Sequence, residues 1–278
     1  MTSQRLPGEL VARGTRSSIR AYGRGAVVKI PHRSTPDGWI EWEAQYADDV
    51  RAVGAPVPRL LGMERLSGRA ASVWEHVRGS SMWQRVVDRP DQSAELGRML
   101  ADVQCALLKL VPPVTLPRQV DRIVAKIRLS AATVDASLIR ALNLIPAGVS
   151  PPRLCHGDLH PSNVILSGRG PVIVDWFDAS RGDPVADIAR TSMTLLSDGV
   201  KPPRHLPGSD TQTLATLTGA YLSQLRLSLE FADAQLAEWQ AIQAAARIAE
   251  GVPRDSLLEV WRRFARANPP LAAQAASN

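Results

Sequence analysis

The stretch Leu154–Arg190, LCHGDLHPSNVILSGRGPVIVDWFDASRGDPVADIAR, constrains this chain more than any other. Val164-Ile165-Leu166 and Val172-Ile173-Val174 read as two short buried strands joined by the turn Ser167-Gly168-Arg169-Gly170. Asp158 and Asn163 fall in the turn-rich loop ahead of the first strand, and Asp175 follows the second at once. Such a hairpin brings two carboxylates and an amide to one end, where they can converge on a metal ion and a hydroxyl.

Those residue types suit phosphoryl transfer, in which catalysis is mostly positioning and neutralisation of charge. Mg²⁺ takes oxygen ligands, typically one or two carboxylates completed by phosphates. Asp175 and the side-chain oxygen of Asn163 supply that kind of ligand. Asp158 is then left to accept a hydroxyl proton as general base. His156 is expected to brace the loop by hydrogen-bonding nearby backbone.

Taken in order, His156-Gly157-Asp158-Leu159-His160-Pro161-Ser162-Asn163, Val174-Asp175-Trp176 and Gly182-Asp183-Pro184-Val185-Ala186-Asp187 resemble the aminoglycoside phosphotransferase family. That family takes in choline-, homoserine- and macrolide-kinase relatives and shares the protein-kinase fold. The resemblance implies an α+β chain with a small sheet-plus-helix nucleotide-binding lobe over residues 1–78 and a larger, mostly helical lobe over 79–278. It implies Asp158 as catalytic base, Asn163 and Asp175 as Mg²⁺ ligands, and Asp183 and Asp187 as structural acids near the site.

The N-terminal third is expected to hold nucleotide phosphates. Ile19–Tyr22 and Ala26–Ile30 read as strands around Gly23-Arg24-Gly25, and Lys29 lies on the second. A helix is expected from Trp39 to Val53. Lys29 with Glu43 would form the strand-lysine to helix-glutamate pair that grips phosphates in this fold, with Glu41 the competing partner. Gly14-Thr15-Arg16-Ser17-Ser18 sits where a nucleotide-covering loop belongs, without G-x-G-x-x-G; backbone N–H groups and the hydroxyls of Thr15, Ser17 or Ser18 would contact phosphate. The strand Ala70–Val77 ends in Glu75-His76-Val77, a hinge whose backbone near His76 and Val77 would bind the adenine.

Helical spacing of apolar residues marks Asp91–Leu110 and Asp121–Ile145, then Asp183–Leu196, Asp210–Leu229, Ala234–Ala249 and Asp255–Ala267. Pro112-Pro113, Pro151-Pro152 and Pro202-Pro203 punctuate them, and Leu271–Asn278 reads as a frayed end. Gln104 stands where relatives commonly carry histidine.

With 278 residues, 45% of them hydrophobic, the chain can bury a large core. Met1–Val11 lacks the apolar run of a signal peptide, and no stretch approaches a membrane span. Two cysteines, Cys105 and Cys155, make no disulfide framework and read as buried, so a cytoplasmic location without a membrane partner is expected. Seven basic residues (Arg5, Arg13, Arg16, Arg20, Arg24, Lys29, Arg33) against Glu9 precede Pro36, which suits a nucleotide polyanion and solvated arginines. A nucleic-acid partner is not expected, because aromatic residues do not interleave with these cations.

The acceptor is less legible. Asp178, Asp198, Glu230, Asp233 and Glu238 offer a moderate acidic supply for a cationic sugar, and Trp176, Tyr221 and Trp239 an aromatic wall for a flatter substrate. Asp178, Trp176 and Trp239 are the candidate substrate contacts. The expectation is an ATP- and Mg²⁺-dependent kinase, with GTP the alternative donor, acting on a hydroxyl of a small molecule such as an aminoglycoside or cyclic-peptide antibiotic. No obligate protein partner is evident. A metabolite kinase for choline, a sugar or an amino acid, and a catalytically silent nucleotide-binding relative, stay open.

Overall fold

A computed structural model of the chain describes residues 6–146, 151–195, 210–250 and 254–268. In chain order it contains β1 (Leu10–Arg13), β2 (Ser17–Ala21), β3 (Ala26–Pro31), α1 (Asp37–Ala52), β4 (Leu60–Leu66), β5 (Arg69–Glu75), β6 (Gly79–Ser81), α2 (Met82–Asp88), α3 (Ser93–Leu108) and α4 (Gln119–Thr133). Then follow β7 (Arg153–Cys155), β8 (Val164–Ser167), β9 (Gly170–Ile173), β10 (Ser180–Gly182), α5 (Pro184–Leu195), α6 (Thr211–Arg226), α7 (Asp233–Arg247) and α8 (Arg254–Ala267). The chain divides into two units, residues 1–85 with 161–179, and residues 86–160 with 180–278.

The first unit is built on a five-stranded antiparallel sheet of order β1-β2-β3-β5-β4. Tyr22, Ala26, Val28, Leu66, Ala71 and Val73 form a buried cluster on it, and Ile30 packs against them. The helix α1 turns Ile40, Glu43, Ala44, Ala47 and Val50 inward, a stripe at helical spacing that packs on β5. Glu43 is the one charged residue in that stripe. The hairpin β8–β9 belongs to this unit, unlike the expected division at residue 79. Its β8 pairs with β6, and Ile173 N–H donates to Pro56 C=O at 2.7 Å. Neither contact can be read from local pattern, because each joins segments far apart in sequence.

The second unit packs α3 against α6, and α7 against α4, α5 and α8. Gly97 permits the first approach: a Cβ there would lie 2.3 Å from the Leu217 carbonyl oxygen. From Val185 to Leu195 every residue of α5 is buried, so this helix is the centre of the unit. The short strands β7 and β10 pair antiparallel, Ser180 with Cys155 and Gly182 with Arg153. That pairing fixes both ends of the loop beginning at His156 and the start of α5.

The single run expected over Asp121–Ile145 is two pieces, α4 and a 3₁₀ stretch Ala136–Leu144. Asp135 separates them by accepting a hydrogen bond from Ser137 N–H at 2.9 Å, an N-cap that ends one element and begins the next. Residue 196, Asp198, Pro202-Pro203 and Leu271–Asn278 lie outside the described residues. Among the described residues no helix is long and apolar enough to cross a membrane.

Candidate active site

In the first unit a basic side chain meets two acids. Lys29 Nζ on β3 donates to Glu43 Oε1 at 2.5 Å and to Asp175 Oδ1 at 2.9 Å. Glu43 reaches it from the buried face of α1, whereas Glu41 points to solvent. Burial alone would lower the Lys29 ammonium, but Asp175 and Glu43 outweigh it and raise it. Glu43 is pushed up to about 7 by burial and by the Asp175 charge, against the pull of Lys29. One ammonium shared by two carboxylates leaves the more buried carboxylate short of compensation.

Asp175 stands two residues beyond β9 with φ 66° and ψ 63°, the left-handed region. Only Ser67 shares a positive φ among the described non-glycine residues. Such a conformation costs free energy and persists where surrounding structure enforces it, commonly at functional positions. It turns the Asp175 carboxylate to Lys29 and leaves that side chain half exposed. Asn163 closes the 3₁₀ turn Pro161–Asn163 ahead of β8, and its carbonyl accepts Val174 N–H at 3.0 Å. The amide and the carboxylate therefore share the open end of the β8–β9 hairpin.

The loop between β1 and β2 is narrower than expected. Ser17 and Ser18 lie on β2 opposite Pro31 and Ile30, and Ser17 is buried, so of the three hydroxyl residues only Thr15 belongs to the loop. His32 and Thr35 pin this loop: His32 Nδ1 contacts Thr15 C=O at 3.1 Å, and Thr35 Oγ1 donates to Arg16 C=O at 2.7 Å. The Arg16 guanidinium lies 5.1 Å from the ring centres of both Trp39 and Phe177 and 4.0 Å from Asp178. Sequence reasoning read Arg16 as a solvated cation. The aromatic residues that hold it come from α1 and the turn after Asp175, a convergence no local pattern signals.

At the expected hinge, His76 N–H donates to Gly25 C=O at 2.9 Å and is taken up by the sheet. The Glu75 carboxylate is engaged by Arg169 and by Arg59 N–H, which hold it below the ordinary carboxylate range, with the Arg169 hydrogen bond foremost. Val77 is half buried at the strand's end. Trp176, expected to contact substrate, is only 1% exposed and donates Nε1–H to Ile173 C=O at 2.9 Å. Asp178 is buried beside Arg16 rather than offered on an acidic surface.

The second unit carries Asp158. Its Oδ1 accepts from Arg190 Nη2 at 2.9 Å and Nε at 3.3 Å, and its Oδ2 lies 3.8 Å from His160 Nε2. Burial would raise this carboxylate, but Arg190 first, then His160, Arg247 and His156, hold it far below its ordinary value. These cations favour the ionised form of Asp158. Its own N–H donates to His156 Nδ1 at 3.2 Å, so His156 sits inside the loop as a bracket. Gly157 between them has φ +79°, which lets the chain double back.

Asp187 on α5 ties this loop down, accepting Gly157 N–H at 2.8 Å and His156 N–H at 3.3 Å. Gln104 Nε2 donates to the same carboxylate at 2.8 Å and its Oε1 accepts Tyr221 O–H. Gln104 therefore supplies one donor to Asp187 and one acceptor to Tyr221 from a fully buried position. Burial pushes Asp187 up despite these bonds. Asp183 caps α5 by accepting Val185 N–H at 2.7 Å. Cys155 is buried, with its thiol raised well above its ordinary value, which makes it an inert core residue. Trp239 at 1% exposed and Tyr221 at 0% are core, so the aromatic wall expected from sequence is absent at these positions. Arg190 was not singled out from sequence, although an arginine three places after Asp187 in an otherwise small and apolar helix was the available signal.

Against this geometry stand the comparisons. The profile of the phosphotransferase enzyme family matches residues 12–205. The chain belongs to that family. It is therefore a phosphotransferase acting on hydroxyl groups of small molecules, with the protein-kinase-like fold of its structural neighbours. No curated protein matches it. Among solved structures it is similar to an aminoglycoside-3'-phosphotransferase of type VIII, at 20% identity and TM-score 0.60 over 86% of this chain and 92% of the other. It is similar to APH(3'')-Id from Streptomyces rimosus in complex with ADP and streptomycin, at 16% identity and TM-score 0.61 over 82% and 90%. A third is the GDP and kanamycin complex of APH(2")-IIIa, at 16% identity and TM-score 0.56 over 98% and 95%.

Proposed function

We propose that this phosphotransferase moves the γ-phosphoryl group of ATP to a hydroxyl of an antibiotic, of aminoglycoside or cyclic-peptide type, and so confers resistance in the cytoplasm. The observation that carries the reading is Lys29 held between Glu43 and a left-handed Asp175. A lysine so placed can exchange the Asp175 carboxylate for nucleotide phosphates while keeping Glu43 as its anchor.

Asn163 and Asp175 suit Mg²⁺: one amide oxygen and one half-exposed carboxylate, with the remaining positions left to phosphates and water. Mg²⁺ held there would neutralise charge on the phosphates. Among the described residues no cluster of three His, Cys, Asp or Glu offers a closed metal cage, in keeping with a site completed by substrate. Thr15 and the backbone of its loop would cover the phosphates, and the hinge from Glu75 to Val77 would hold the base, with Val77 N–H in place of His76 N–H. Asp158 would orient the acceptor hydroxyl and take its proton. A carboxylate held ionised by Arg190 is a weak base, which is adequate where the transition state is loose and the proton leaves late.

Complexes of the similar enzymes with kanamycin and streptomycin support an aminoglycoside acceptor, and the GDP complex supports GTP as a second donor. The test is coupled ADP or GDP release from Mg-ATP and Mg-GTP against aminoglycosides, cyclic peptides, macrolides, choline, sugars and amino acids. Stimulation by one antibiotic class is the expected result. Stimulation by a metabolite alone would make it a metabolite kinase, and nucleotide binding with no turnover would make it a silent relative.

A further inference from the structure

Arg190 is used twice. Besides its two bonds to Asp158 Oδ1, its Nη1 donates to Glu250 Oε2 at 2.7 Å. Glu250 is itself held by Lys126 Nζ at 2.7 Å and lies 3.6 Å from Arg247 Nε. The side chains of Arg190, Arg247 and Glu250 are 6%, 5% and 10% exposed, so the chain of charges runs through the interior. It joins the loop of Asp158 to α5, α4, α7 and the 3₁₀ turn Ile248–Glu250.

Burying this many charges is expensive, and a buried ion pair is a poor source of stability compared with apolar packing. A purely structural need could be met by hydrophobic side chains of equal volume. Its geometry fits a different task. Both Arg190 donors converge on a single oxygen of Asp158, which fixes the rotation of the carboxylate about its Cβ–Cγ bond. The planar guanidinium presents its remaining edge to Glu250, which fixes the guanidinium in turn. Arg190 first, then Lys126 and Arg247, hold the Glu250 carboxyl below its ordinary value despite burial.

We propose that Arg190 is a positioning residue for the base Asp158, and that Glu250, braced by Lys126 and Arg247, is the anchor that aims it. This rests on the reading of Asp158 as the base, and it adds a requirement that neither the loop nor the metal ligands impose: the turn after α7 must be in place for the carboxylate to be aimed. The groups facing Asp158 are Arg190 from α5, Arg247 from α7, and His160 and His156 from its own loop, with Asp187 behind His156. Arg190 and His160 lie within 4.0 Å of its carboxylate.

The experiment compares Arg190→Gln, Arg190→Lys and Glu250→Gln with the parent chain. ADP release from Mg-ATP gives kcat, with the acceptor found by the panel or, where none is found, with water. Equilibrium titration with Mg-ADP gives nucleotide affinity. Arg190→Gln is expected to lower kcat on the order of 10²-fold with Mg-ADP affinity within about twofold, as misplacement of a reacting group does. Arg190→Lys should recover part of the loss, and Glu250→Gln should lower kcat about tenfold. Either glutamine variant holding kcat within about twofold overturns the proposal, as does a fall in Mg-ADP affinity that matches the fall in kcat. Should Arg190→Gln not fold, Glu250→Gln decides alone.

A parent chain that binds Mg-ADP and turns nothing over defeats the functional reading but not this geometry. The carboxyl-carbon resonance of Asp158 then decides, in protein labelled with ¹³C-aspartate and assigned through Asp158→Asn. Titration returning to the ordinary carboxylate range in Arg190→Gln, and staying below it in the parent, supports the Arg190–Asp158 pairing on which the proposal stands. Identical titration in the two overturns it.

Discussion

Replacing Glu43 by glutamine should change how stability depends on pH, in a direction the structure dictates. Glu43 is 6% exposed and faces both Lys29 and Asp175, and its proton affinity rises from the ordinary 4.5 to about 7. A carboxyl raised on folding gives stability that is fully present below pH 4.5 and is lost as pH climbs through 7. At about 1.4 kcal/mol for each decade of proton affinity, that loss is about 3 kcal/mol. Glutamine keeps the volume and a hydrogen-bonding oxygen but has no proton to give up. The raised affinity of Lys29 matters only in strongly alkaline solution and stays outside this window. Urea unfolding of both proteins at pH 5 and pH 8 measures the effect, and comparing the pair cancels every group they share. Between those pH values Glu43→Gln should gain about 2–3 kcal/mol relative to the parent, whatever the offset between them at pH 5. Parallel curves for the two proteins would refute the reasoning, because they would mean that Lys29 fully compensates Glu43 and that Asp175 leaves it undisturbed.

Two further outcomes concern other parts of the site. Arg16→Ala removes a cation packed on Trp39 and Phe177, worth about 1 kcal/mol, so amide exchange over Gly14–Ser17 should quicken roughly fivefold with global stability little changed. Unchanged exchange there would show that His32 and Thr35 alone hold the loop. Gln104→Leu strips a donor from Asp187 and an acceptor from Tyr221 in a fully buried place, and should cost about 1–3 kcal/mol in chemical unfolding. A loss below about 0.5 kcal/mol would mean that the network rearranges to satisfy both groups.

The family and the fold class were legible because their signals are local. The two β-branched runs around Ser167–Gly170, the acids on either side of them and the lysine strand all lie within short windows. So does the 3.6-residue spacing that marks α1, α3 and α6. What was not legible depends on segments that meet only after folding. β1 is exposed at all four positions and carries no alternation, and β6 and β10 are three residues each and depend on distant partners. The apolar spacing across 121–145 ran through the cap at Asp135, which ended the helix by a hydrogen bond rather than by a change of pattern.

The candidate site divides the same way. Lys29, Glu43 and Asp175 could be named, but their convergence on one ammonium and the left-handed backbone at Asp175 could not. Trp176 and Trp239 looked like substrate contacts because indoles suit both cores and ligands, and burial alone separates the two uses. Arg190 and Glu250 stand 60 positions apart, so no spacing rule connects them.

The central claim is the proposal that Asp158 takes the acceptor proton. Single-turnover phosphoryl transfer with Asp158→Asn, alongside Mg-nucleotide affinity, tests it most directly. The account predicts unchanged affinity and a rate lower by about 10²–10⁴-fold. A variant that transfers phosphate at near-parental rate would contradict it.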